Sequence, residues 1–208
     1  QGTNSGWTSS TSWNSTGLSP NKNYNFRVRA RNGNGVATSL VSLGWRYTLA
    51  RAPVAAAFSN ITETSIQANW TANGNPAGTQ YYCENLTQGT NSGWTSSTAW
   101  NSTGLSPNRN YNFRVRARNG NGLVTGLVSL GSRYTLARAP GADAFSNITQ
   151  TSIQANWTAN GNPGGTAYYC ENVTQGTNSG WTSSTSWNST GLTPDTTYSF
   201  RARARNGN

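Results

Sequence analysis

The chain holds 208 residues with 15 basic and 5 acidic side chains, no His and no Met, and nine Trp and nine Tyr supply much of its apolar bulk. Without His there is no imidazole base and no His-containing metal site or catalytic triad. No apolar run approaches the roughly 18 residues of a membrane helix, and the net charge of +10 raises the question of polyanionic partners.

The segment QGTNSGWTSST at Gln1 returns at Gln88 and Gln175, a spacing of 87 residues both times. Residues 1–53 match 88–140 with six differences (Ser12/Ala99, Lys22/Arg109, Val36/Leu123, Ala37/Val124, Ser39/Gly126, Trp45/Ser132). Copies this alike are neighbours in an array, each repeat being one folding unit.

The complete unit runs from Pro53 to about residue 137. VAAAF at Val54–Phe58 predicts a first strand after the linker proline. TSIQANW alternates, with Ile66, Ala68 and Trp70 on one face and Ser65, Gln67 and Asn69 on the other. After the turn TANGNPAG, TQYYCEN puts Thr79, Tyr81, Cys83 and Asn85 inward and Gln80, Tyr82 and Glu84 outward. GWTSSTAWNSTGL predicts two short strands carrying Trp94 and Trp100. Beyond SPNRN, YNFRVRARN faces Tyr111, Phe113, Val115 and Ala117 inward and Arg114, Arg116 and Arg118 outward. LVSLGSRYTL closes the unit before ARAP opens the next. Seven short strands with period-2 patterning and no helix predict an all-β, two-sheet sandwich.

Trp70, Tyr81, GLSP at Gly104–Pro107 and YNFRVRARNGNG at Tyr111–Gly122 together resemble a fibronectin type III domain. The resemblance covers the whole chain and implies tandem seven-stranded, Ig-like β-sandwiches. It implies that Trp70 and Trp157 are the core Trp of the second strand, with Leu105 in the turn. It also implies that Tyr24, Tyr111 and Tyr198 form tyrosine corners, each hydroxyl bonding back to the preceding turn. In that register residues 1–50 hold the C-terminal half of a repeat (strands C′, E, F and G). Residues 53–137 then form a complete repeat, and 140–208 a repeat lacking its last strand. A half-sandwich cannot bury its core face alone. The expectation is either a window onto a longer array or completion by strands from another molecule.

The chemistry of the side chains points away from catalysis. Glu63, Glu84, Asp143, Glu171 and Asp195 form no close carboxylate pair within a repeat. Cys83 and Cys170, in equivalent positions of separate repeats, read as buried free thiols. No cofactor or metal is expected. Arg27, Arg29 and Arg31, repeated as Arg114, Arg116 and Arg118, form an outward stripe. It reads either as an Arg–aromatic surface ladder with a Glu84 ion pair, or as a strip for an acidic polysaccharide or a neighbouring subunit. The near absence of Lys and of any nucleic-acid motif argues against nucleic acid. Nine sequons give candidate glycosylation sites at Asn14, Asn60, Asn69, Asn85, Asn101, Asn147, Asn156, Asn172 and Asn188. Trp45, a Ser in the next copy, is not required by the shared fold. The short Gly-free linker LARAP should restrict the angle between repeats.

The function these readings lead to is non-catalytic: an extracellular rod or surface fibre of stacked repeats whose partner is itself. The alternative is a spacer, adhesion or carbohydrate-binding module of a larger secreted enzyme or adhesin.

Overall fold

The computed structural model describes residues 2–208; Gln1, where the first copy of the repeated segment begins, lies outside them. All regular structure among the described residues is β. Repeat 2 contains β3 (Val54–Ser59), β4 (Ser65–Thr71), β5 (Gln80–Asn85), β6 (Thr90–Thr95), β7 (Ala99–Thr103), β8 (Asn110–Arg118) and β9 (Val128–Tyr134). One sheet has the order β3-β4-β7 and the other β6-β5-β8-β9, all antiparallel. This is the predicted seven-stranded sandwich.

Alternation decides what each sheet buries. The inner face of β4 supplies Ile66, Ala68 and Trp70, β5 supplies Tyr81 and Cys83, and β8 supplies Tyr111, Phe113, Val115 and Ala117. Trp70 and Tyr81 tilt against each other with centroids 6.0 Å apart. Phe113 is packed between Phe58 at 5.4 Å and Trp100 at 6.3 Å. Leu105 is buried beneath the turn, where the Tyr111 hydroxyl accepts the Ser106 N–H at 2.8 Å. Tyr24 and Tyr198 accept from Ser19 and Thr193 in the same way, at 2.9 and 2.7 Å. A register shift at Phe113/Arg114, opposite Gly131 at φ 87°, bends β9 along the sheet edge.

Repeat 3 contains β10 (Gly141–Ser146), β11 (Ser152–Thr158), β12 (Ala167–Asn172), β13 (Thr177–Thr182), β14 (Ser186–Thr190) and β15 (Phe200–Arg205), in sheets β10-β11-β14 and β13-β12-β15. Trp157 and Tyr168 repeat the core pair at 6.2 Å. Among the described residues no strand is paired to the outer edge of β15; Phe145, counterpart of the half-buried Phe58, is 50% exposed.

Repeat 1 differs from the expectation of four strands. Only β1 (Asn23–Val28) and β2 (Val41–Tyr47) form, as a two-stranded ribbon. The counterparts of β6 and β7 do not form strands in residues 2–22. In repeat 2 those strands pair with β5 and β4. Tyr24 is half-buried and Leu43, counterpart of the buried Leu130, is 66% exposed, while Trp45 faces outward as Ser132 does in repeat 2.

Candidate functional site

Two features recur at the 87-residue period: an arginine face and a junction between repeats. On the outer face of β8, register sets Arg114 opposite Glu84, Arg116 opposite Tyr82 and Arg118 opposite Gln80. Arg114 Nε donates to Glu84 Oε2 at 2.6 Å, and Arg118 Nε donates to Gln80 Oε1 at 2.7 Å. The Arg116 guanidinium stacks on Tyr82 at 5.1 Å and Trp94 at 5.7 Å, and Arg118 lies 4.4 Å over the same Trp94. In repeat 3, Arg203 stacks on Tyr169 and Trp181, Arg205 stacks on Trp181, and Arg201 pairs with Glu171 at 2.7 Å. The hydrogen bond from Arg201 holds the Glu171 carboxyl below its ordinary pKa. In repeat 1, Arg29 and Arg31 stack on Trp7 at 5.3 and 4.5 Å.

Of the stripe, the structure sets Arg114 on Glu84, Arg116 on Tyr82 and Trp94, and Arg118 on Gln80 and Trp94. The same stripe returns at the 87-residue period as Arg201, Arg203 and Arg205. Each exposed cation–π contact contributes roughly 0.5–1 kcal/mol, so the stack braces the sheet. It also holds flat guanidinium groups about 7 Å apart along the strand, two residues at roughly 3.4 Å each.

The second feature links consecutive repeats. Asn21, in the turn before β1, donates from Nδ2 to Thr79 Oγ1 at 2.8 Å and accepts the Gly120 N–H on Oδ1 at 2.8 Å. Asn119 donates to the Thr48 carbonyl at 3.1 Å, and Tyr47 N–H donates to Asn121 Oδ1 at 2.9 Å. Gly120 lies under the Tyr47 ring: a Cβ there would stand 2.4 Å from Cζ. Between repeats 2 and 3 the arrangement returns. Asn108 donates to Thr166 Oγ1 and accepts from Gly207, both at 2.9 Å, and a Cβ on Gly207 would stand 2.7 Å from the Tyr134 ring. The linkers are clamped as well. Asn75 accepts from Arg51 N–H and donates to its carbonyl, both at 2.8 Å, and Asn162 does the same for Arg138. Arg138 Nε also reaches back to Glu63 Oε2 of repeat 2 at 2.9 Å.

The sequons separate by environment. Asn85 and Asn172 are fully buried, each donating to a buried Ser (Ser102, Ser189) at 3.0 Å. A glycan has no room there, which removes both from the candidates. Asn69 and Asn156 spend their amides on the Ala57 and Ala144 carbonyls. Asn60 and Asn147 spend theirs on Gln67 and Gln154. Asn14, Asn101 and Asn188 are exposed. Cys83 and Cys170 are buried free thiols, and burial pushes the Cys83 thiol up to about 12.

The family model for the fibronectin type III domain matches residues 51–126 and 138–208. The chain belongs to the fibronectin type III family. Such domains are generally non-catalytic modules of a structural or spacer kind. A two-domain fibronectin type III segment of chicken tenascin superposes with a TM-score of 0.50 at 20% identity, covering 76% of this chain and 93% of that one. Exoglucanase B of Cellulomonas fimi is 28% identical over 218 residues, covering 96% of this chain but only 20% of the exoglucanase. The chain thus spans about a fifth of that relative's length.

Proposed function

We propose that these fibronectin type III repeats form a stiff spacer, holding other parts of a larger secreted or cell-surface protein at a fixed distance and angle. One observation carries the reading: the same hydrogen bonds and the same ring-on-glycine contact join repeat 1 to repeat 2 and repeat 2 to repeat 3. Closely similar units joined by equivalent junctions follow a regular path. Likeness to a stretch of a much longer exoglucanase fits a spacer between functional modules. Small-angle X-ray scattering of the full chain tests the reading. A profile fitted by one fixed arrangement of repeats supports it, and a profile needing freely pivoting repeats refutes it.

The near identity of residues 1–53 and 88–140 favours a second reading, assembly of such rods into a surface fibre. Sedimentation mass that rises with concentration would support it. The arginine face gives such a rod an anion surface suited to acidic polysaccharide. Salt-dependent retention on immobilised polygalacturonate, weakened by Arg116→Gln, is the check.

A further inference from the structure

Asn21, Asn108 and Asp195 occupy one equivalent left-handed turn position, at φ 43°, 46° and 56°. The first two sit in LSPN and the third in LTPD. At both junctions the Asn side chain does two jobs, accepting the glycine N–H and donating to a Thr hydroxyl oxygen. The donating role is fixed, because each Thr hydroxyl has already spent its only hydrogen. Thr79 donates to the Pro76 carbonyl and Thr166 to the Pro163 carbonyl, both at 2.7 Å. An Asp at this position can still accept from glycine but can donate nothing to threonine. Two acceptors would face each other in a site that leaves Asn21 and Asn108 only 8% exposed. Turning the Thr hydroxyl towards the carboxylate would strip the proline carbonyl of its bond, so a hydrogen bond is lost either way. The cation beside the turn is gone too: Lys22 and Arg109 become Thr196. Arg205, which lines the junction beside Asn108, is stacked 4.5 Å over Trp181.

We propose that Asp195 changes the docking specificity of this turn in repeat 3, disfavouring a Thr hydroxyl where Thr79 and Thr166 stand and favouring a nitrogen donor there. A carboxylate at this position offers only acceptors, so an amide, guanidinium or ammonium group meets it with matching charge. The inference rests on the rod reading, since it treats the junction as what fixes the path.

The test places the acid in a working junction, in the full chain. Asn108→Asp changes one amide nitrogen to oxygen with almost no change of shape. Scattering should show loss of the fixed arrangement of repeats 2 and 3, with the Trp157 core still folded by near-ultraviolet circular dichroism. Adding Thr166→Asn, which returns a nitrogen donor from the other side, should restore the fixed profile. If Asn108→Asp keeps the wild-type profile, or if Thr166→Asn fails to restore it, the inference falls. A wild-type chain whose repeats already pivot refutes the rod reading itself, which separates the two failures.

Discussion

Replacing Gly120 with Ala tests the junction through a single methyl group. The new Cβ would stand 2.4 Å from Cζ and 2.6 Å from both Cε atoms of Tyr47, over the flat of the ring. Ordinary contact starts at about 3.4 Å, so ring and glycine must part by about 1 Å. Compressing a packed contact costs roughly 1–3 kcal/mol. The hydrogen bonds beside it, Gly120 to Asn21 and Asn119 to Thr48, each contribute roughly 0.5–1.5 kcal/mol. Opening the junction would also break the Asn21–Thr79 and Tyr47–Asn121 bonds, roughly 2–6 kcal/mol for the four, so the clash cancels part of what holds the junction closed while leaving the core of repeat 2 untouched. The expected result is faster amide exchange in β1 and β2 with little change in the thermal midpoint of repeat 2. Gly126→Ala, with nothing within 4 Å of the added carbon, serves as the neutral control. Tyr47→Ala on top of Gly120→Ala should relieve the clash, giving a non-additive cycle of roughly 0.5–3 kcal/mol. Exchange rates and melting indistinguishable from the control would refute the argument that this contact sets the junction.

Trp70→Ala should destabilise repeat 2 by roughly 3–5 kcal/mol, read by urea denaturation, because Trp70 is 3% exposed and packs on Tyr81. Tyr111→Phe removes only the hydroxyl that accepts from Ser106, so roughly 0.5–1.5 kcal/mol should be lost, against several for Tyr111→Ala. Burial raises the Cys83 thiol from 9.0 to about 12. The folded state therefore keeps its proton where the unfolded chain ionises. That stabilisation is complete below about pH 9 and is lost as pH climbs towards 12. The stability difference between the native chain and Cys83→Ala should shrink between those limits in urea titrations. A constant difference would contradict it.

The sequence by itself determined the repeat, the strands and the core, because β structure writes its two faces into alternate residues. Ile66, Ala68 and Trp70 against Gln67 and Asn69, or Phe113 and Val115 against Arg114 and Arg116, are local patterns that any sandwich must obey. The arginine ladder was legible for the same reason, since Glu84, Tyr82 and their arginines share the outward parity of two strands. The alternation that faces Asn85 inward likewise explains why its sequon is buried.

Tertiary structure alone decided the junction. Asn21 meets Thr79 and Gly120 across 58 and 99 residues, and no periodicity within a strand encodes a contact between turns of different repeats. Gly120 looks like any turn glycine until the Tyr47 ring lies on it. The half-repeat at residues 2–50 makes the complementary point: its sequence carries the same strand pattern as repeat 2. There β1 and β2 are the strands present among the described residues, and a strand pattern shows which residues can face a core without showing which strand will lie beside it.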